Sequence, residues 1–399
     1  MVKIIELLAP SKDFTSLNSA IKNGANSIYI GVEGCNMRAN VSNFKIHEIK
    51  EAVKICHDQD VKLYVCTNTI MKDRDITYLK KLYPILHSMD IDAVILSDLG
   101  ALKLAKDNHL QVHMSVQSNL TNSESLNFIK SYGVKRAILS RELSLEEIKT
   151  IINNTNMEIE VFVHGAMCMA VSGRCFLSSY LYNKSANCGE CLQPCRKQWK
   201  LISEDLEEVQ LETDENFTYF ISPYDLCMIE HIPELVKAGI HAFKIEGRAR
   251  PAEYVAAVTR VYRDALNLYE KGNWVFDKNW LIELKKVYNR GFDTGFYFKS
   301  PHESSSYNQS TYLKKDVGTI VNYYPQVSAA EVRLWNEISI GDQIIIQGPT
   351  TGSIIQNVES MQINGENVTK AQKGENVGLK VREKVRKNDL VYLRIPRKS

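Results

Sequence analysis

The sequence predicts an α/β fold: a (β/α)8 TIM-like barrel over residues 1–299, followed by a small all-β barrel over residues 316–399. Three observations predict it. Apolar strand patterns alternate with amphipathic helix patterns through the first 250 residues, with short connections. That alternation gives a parallel sheet, and right-handed crossovers repeated eight times close most readily into a barrel. Polar residues also recur where the strands end, while the strand bodies are apolar, which places one chemically equipped rim at the C-terminal strand ends. Finally, no G-x-G-x-x-G follows the first strand, so an open doubly wound sheet with a dinucleotide site lacks its fingerprint.

The elements follow in order. Residues 4–9 form an apolar strand; Ser11 or Asp13 caps a helix carrying Leu17, Ala20 and Ile21, and Gly24 ends it. Residues 27–31 are the second strand and 47–57 the second helix. A strand at 62–66 precedes a helix over 75–87 with Leu79, Leu82, Ile85 and Leu86 facing inward. Strands at 93–96, 111–116 and 137–139 are separated by helices at 100–107, 123–131 and 145–153. Strand seven lies at 160–163 and strand eight at 242–245, with a Cys-rich insertion over 165–240 between them. Within the insertion, the segment 222–227 leads into a helix ending near Gly239, and residues 204–215 read as an acidic exposed hairpin or loop. Pro251 opens the last barrel helix, whose face carries Val255, Val258, Tyr262, Ala265 and Tyr269. Residues 300–315 are rich in Ser, Asn and Tyr without helical period and read as a linker. Short strands at 318–322, 331–335, 343–347, 377–381 and 390–394, punctuated by Gly and Asn, make the C-terminal unit all-β.

Composition bounds the function. At 44% hydrophobic residues the chain can bury a sizeable core. No apolar run approaches the length of a membrane span and no targeting segment opens the chain, so no membrane role and a cytoplasmic location are expected. Net charge is only +2, but the last 20 residues alone carry +6, from Lys380, Arg382, Lys384, Arg386, Lys387, Arg394, Arg397 and Lys398 against Glu383 and Asp389. A basic stripe of this kind is the footprint of phosphate-backbone contact, and equally of a solvated strand face.

The chemistry concentrates after strand seven. Five of nine cysteines, Cys168, Cys175, Cys188, Cys191 and Cys195, fall within residues 160–195. An odd cysteine count in a cytosolic chain argues against a disulfide framework. Cys188-Gly-Glu-Cys191 and Cys191-Leu-Gln-Pro-Cys195 are short enough to chelate zinc, yet only one CxxC is present. An iron–sulfur cluster also takes four thiolates and tolerates irregular spacing. Spacing alone leaves the two metals undecided. The same loop holds Trp199 and the basic run from Arg196 to Lys200.

The run His164-Gly-Ala-Met-Cys168 with Ser172-Gly-Arg-Cys175 resembles the defining motif of the peptidase U-32, or collagenase-like, family. Glu160, Phe162, Gly165, Ala166, Met167, Cys168, Gly173, Cys175 and Ser178 fit it, as do Glu6-Leu-Leu-Ala-Pro10 and Lys244-Ile-Glu-Gly-Arg248. The resemblance implies an RNA-modifying enzyme, one that performs oxygen-independent, prephenate-dependent hydroxylation. Its expected target is the wobble uridine of tRNA, converted to 5-hydroxyuridine. The alternatives are a collagenase-like peptidase and an rRNA or ubiquinone-precursor hydroxylase. The resemblance also implies a 4Fe-4S cluster on Cys168, Cys175, Cys191 and a fourth cysteine. Cys227 is the first choice for that fourth ligand and Cys195 the alternative. It implies prephenate as co-substrate, RNA as macromolecular partner, and a possible partner subunit of the same family.

For the site, Glu246 and Arg248 at the end of strand eight, with His164 after strand seven, are the expected catalytic residues. Arg38, Asn36, Gln117, Arg141 and Lys244 are the expected substrate-binding residues. Prephenate is a dicarboxylate, and inward arginines bind carboxylates bidentately. The plain alternatives are a buried Glu–Arg pair closing the barrel and a packing role for His164. A thiol-peptidase reading needs a histidine base beside a cysteine, and a zinc-protease reading needs HExxH, which is absent from the sequence.

Overall fold

The computed structural model describes residues 5–38, 41–168, 170–197, 222–298, 305 and 307–397. Trp199, Lys200, the acidic 204–215 segment, most of the 300–306 stretch and Lys398 therefore lie outside the described residues.

Eight parallel strands close into a barrel. They are β1 (Glu6–Pro10), β2 (Ser27–Gly31), β3 (Lys62–Thr67), β4 (Ala93–Leu96), β5 (Val112–Met114), β6 (Arg136–Ile138), β7 (Glu158–Gly165) and, after β8 (Asp225–Cys227), β9 (Ala242–Ile245). Each barrel strand pairs with the next, and β9 closes the ring by pairing with both β7 and β1. Two short strands extend the sheet beyond the ring: β8 runs antiparallel to the end of β7, and β10 (Phe292–Asp293) pairs with β8. Both went unseen in the sequence, since three-residue and two-residue strands leave no period to read. The helix expected after 222–227 is present as Ile232–Lys237, with Gly239 at φ +89° beyond it.

Strand bodies are apolar because both faces are covered, one by the helices and one by the barrel interior. The helix Asp73–Ser88 buries Leu79, Leu82, Tyr83 and Leu86. This is the i, i+3, i+4, i+7 stripe. Ile85, expected inward, is off that stripe and exposed. The barrel floor is ionic. Arg136 donates to both oxygens of Glu6 at 2.8 Å, to Glu158 at 2.9 Å and to Glu160 at 3.2 Å, while Lys244 meets the other Glu160 oxygen at 2.9 Å. Burial works against the Glu6 carboxylate, but Arg136 and hydrogen bonds from Ser27 and Tyr64 hold it at about 2. Buried charges survive only when satisfied in this way; removing one partner costs about 3–5 kcal/mol.

The C-terminal unit is an eight-stranded antiparallel sheet with a two-stranded ribbon beside it, around a separate apolar core that includes Val317, Ile344, Ile346 and Val391. Its longest strand, Tyr312–Tyr324, pairs with Ala329–Leu334 on one side and Leu390–Pro396 on the other. Residues 312–315, read as linker, are the start of that strand. The sheet docks on two barrel helices, Phe14–Lys22 and Ala252–Glu270, through polar contacts. Gln347 donates to Glu253 at 2.7 Å, Lys314 pairs with Glu253 at 3.1 Å, and Asn18 donates to the Pro349 carbonyl at 2.8 Å. Gly352 sits at φ +72°, where an added Cβ would stand 3.0 Å from the Ser19 amide, so this approach requires glycine.

The basic stripe of the last residues is partly consumed by this architecture. Arg394 is buried and donates to Gln343 at 3.0 Å, Arg397 donates to the Asn308 carbonyl, and Arg382 pairs with Glu359 at 2.7 Å. Lys380, Lys384 and Lys387 are exposed.

Candidate functional site

A cavity of about 500 Å³ opens at the C-terminal ends of the barrel strands. Tyr29, Cys66, Phe162 and Lys244 line its inner end, the loops after β2, β3, β5 and β6 form its sides, and the Cys-rich loop stands across it. The β/α topology places it there: side chains at strand ends converge while the helices stay outside.

Glu246, one residue beyond β9, is its electrostatic centre. Arg38 donates to Glu246 at 3.1 Å and the Arg141 guanidinium lies 3.9 Å from its other oxygen. Burial would raise this carboxyl, but Arg38 first, then Arg141 and Arg248, hold it at about 2. It is a fixed anion at neutral pH and therefore a poor general base. Arg248 is buried and donates to Asn36 at 3.0 Å; Asn36 in turn accepts from the Arg38 backbone at 2.9 Å. Room for this guanidinium comes from Gly31, where an added Cβ would collide with Arg248 and Asn43. Arg141 donates to the Ala166 carbonyl at 2.8 Å and stacks 3.9 Å from the Phe162 ring centroid. Three guanidinium groups thus surround the Glu246 carboxylate; with Glu142 also in the cavity wall, one positive charge is left uncompensated at the mouth. Lys244 adds none, because Glu160 neutralises it, although its ammonium also sits 4.5 Å from the Tyr29 ring centroid. Gln117 accepts from Asn68 at 2.9 Å and from Ser115 at 2.5 Å, so its carbonyl end is engaged within the wall.

Four thiols share the cavity: Cys168, which is exposed, and Cys175, Cys191 and Cys195, which are half-buried. The Leu177 amide points at the Cys175 sulfur and the Gln193 amide at the Cys191 sulfur, each at 3.4 Å. Backbone N–H groups aimed at sulfur stabilise thiolates. Burial pushes the Cys195 thiol up to about 11; Arg196 pulls it back, and the neighbouring thiols Cys168, Cys191 and Cys175 add to the rise. As they stand, no three His, Cys, Asp or Glu side chains among the described residues are gathered closely enough to hold a metal ion. The donor chemistry nevertheless fits a thiolate-ligated cluster, since four thiols face one cavity on a loop that arches over its mouth.

Cys227 is elsewhere. It pairs with His164 across β7 and β8, is buried, takes a 4.0 Å contact from the Tyr262 hydroxyl, and is pushed by burial up to about 12. The fourth thiol at the cavity is Cys195, the expected alternative, and not Cys227. His164 also lies away from the cavity. Alternation from Glu160 and Phe162 would turn it inward, but the β7–β9 register shifts between Phe162 and His164 and turns it outward. There it packs among the rings of Tyr254, Tyr262 and Phe292, and burial lowers it to about 3. It is a neutral packing residue, not a proton donor to the site.

Sequence reasoning assigned no role to the residues that hold the loop in place, although Ser172 and Ser178 stand in the motif. Glu142 accepts from the Ser172 amide at 2.6 Å and from the Ser172 hydroxyl at 3.1 Å. Asn187 accepts from the Cys175 amide at 3.0 Å, and Ser178 from the Leu192 amide at 3.1 Å. Glu142 was visible as a polar strand-end residue; its pairing thirty positions on was not. Arg196, read as part of a basic run, is tied to Ser222 at 2.7 Å, to the Pro223 carbonyl at 3.0 Å and to the Met167 carbonyl.

A parallel barrel with arginines and thiols gathered at the C-terminal strand ends places its polar groups where enzymes of this architecture carry their sites. The chain belongs to peptidase family U32, whose model matches residues 12–307. It is 47% identical to an uncharacterized protease of Methanocaldococcus jannaschii, over 98% of this chain and 99% of that protein. It is 38% identical to a collagenase of Porphyromonas gingivalis, over 98% of both chains. It is 33% identical to the tRNA hydroxylation protein P1 of Bacillus subtilis, over 89% of this chain and 86% of that protein. Among the described residues, no helix is long and apolar enough to cross a membrane.

Proposed function

We propose that this protein hydroxylates a pyrimidine base of RNA, the wobble uridine of tRNA, in a prephenate-dependent reaction. A 4Fe-4S cluster on Cys168, Cys175, Cys191 and Cys195 would supply the redox chemistry when bound. The observation that carries the reading is the convergence of three guanidinium groups beside the thiols. Arg38, Arg141 and Arg248 converge on Glu246, and their remaining N–H donors would pair with the carboxylates of a ligand such as prephenate. Arg248 is preorganised by Asn36 and Gly31, so it would bind without losing side-chain freedom on association. The cavity's apolar wall, Phe162 and Phe296 among its residues, would exclude water from the reacting atoms. The relative named as a tRNA hydroxylation protein supports the reaction class.

A peptidase reading draws on the relatives named collagenase and protease. The cavity favours hydroxylation, because among the described residues no histidine lines it to serve a cysteine nucleophile. Calorimetric titration of prephenate into anaerobically purified protein tests the proposal. Arg248→Ala is expected to weaken binding by about 1.5–3 kcal/mol, roughly ten- to a hundred-fold. Equal affinity for prephenate in wild type and variant would remove the arginine site from the account.

A further inference from the structure

The face around the cavity mouth carries an exposure pattern that the reaction does not use. Phe176 is 78% exposed and Tyr180 is 87% exposed. Phe176 directly follows the cavity-lining Cys175, and Tyr180 is one helical turn further along Leu177–Tyr182. Residues four apart on a helix share a face. Neither ring has an aromatic or cationic partner among the described residues. The neighbouring Tyr182 does: the Lys197 ammonium lies 4.6 Å from its ring centroid and donates to its hydroxyl at 2.7 Å. Leu192, next to Cys191, and Val171, itself in the cavity wall, are also exposed. Leaving several large apolar groups in water beside a cavity is unfavourable unless something covers them.

We infer that Phe176 and Tyr180 form a stacking platform for unpaired nucleobases of a single-stranded RNA loop, holding the bases that flank the one delivered into the cavity. Charge commits the occupant. Residues 171–197 contain Arg174, Lys184, Arg196 and Lys197 against Glu190 alone, a net charge of +3. Arg174, Lys184 and Lys197 are exposed. Aromatic faces interleaved with cations suit a phosphate backbone with splayed bases, because every base offers a π-face while each phosphate finds a cation. A protein partner of ordinary composition would gain from the rings but not from the surplus charge. A paired duplex offers no free base faces to the platform. The proposal rests on the RNA reading above and adds which residues grip the loop.

Fluorescence anisotropy on the whole protein tests it, with a labelled RNA hairpin bearing an unpaired loop and a fully paired RNA duplex as the two probes. Phe176→Ala and Tyr180→Ala are each expected to weaken hairpin binding about tenfold, with duplex binding unchanged. Phe176→Trp keeps a ring face and is expected to restore affinity. Phe176→Leu keeps apolar area without the ring and is expected not to. Wild-type protein that binds neither probe would sink the RNA reading itself. Hairpin binding that survives both alanine variants, or that falls equally for hairpin and duplex, would overturn the platform while leaving RNA as substrate. Variants that instead shift the oligomeric state on gel filtration would assign the surface to a protein contact and overturn it as well.

Discussion

Single residues in this barrel divide into those that face the cavity and those that hold the wall, and motif position does not tell them apart. Glu160 opens the cysteine motif yet serves Arg136 and Lys244 in the barrel floor. His164 stands within the same motif yet packs beneath the helix Ala252–Glu270. Its folded value of about 3 lies below the unfolded value of about 6.5. In the window between those two values the unfolded chain binds the extra proton, so stability rises with pH and is lost on acidification below about 6.5. This one group is expected to cost about 2 kcal/mol between pH 7 and pH 5. His113, also buried and lowered, adds to the slope. Denaturant melts across that range should show a shallower acid loss for His164→Phe than for wild type; parallel curves would contradict a buried neutral imidazole.

At the scale of elements, the Cys-rich loop is where sequence and structure part most. Eight strands and their helices were legible because periods of 2 and 3.6 survive in a linear reading. The strand ends were legible too, since Asn36, Arg38, Arg141, Glu246 and Arg248 do come together around the cavity. What could not be read was direction. The register shift in β7 rotates His164 out, and β8, three residues long, carries Cys227 into the core. Neither leaves a mark in residue order. The cysteine prediction follows from that geometry. Cys195→Ala should lose most of its iron after anaerobic purification, whereas Cys227→Ala should keep iron. The Cys227 variant should instead lose about 1–3 kcal/mol of stability through the vacated buried volume. Iron content that falls only in the Cys227 variant would reverse the assignment.

For the whole molecule, two cores lie side by side, joined by polar contacts and one glycine approach. Interfaces of that character separate without exposing much apolar surface. A chain ending after residue 310 is therefore expected to keep a cooperatively folding barrel and the same iron content as the full chain after anaerobic purification. It should bind RNA more weakly, and with a smaller salt dependence, as the exposed Lys380, Lys384 and Lys387 are lost. A truncated chain that fails to fold, or that binds RNA at full strength, would show that the sheet is something other than a separate grip. The central claim is that the thiols and arginines at one barrel mouth hydroxylate a tRNA base. Mass spectrometry of tRNA nucleosides from a strain lacking this protein tests it most directly, with the strain complemented by wild type, Cys175→Ala or Arg248→Ala. The account predicts 5-hydroxyuridine-type nucleosides restored by wild type and by neither variant. Hydroxylated nucleosides that persist without the protein, or that both variants restore in full, would contradict it.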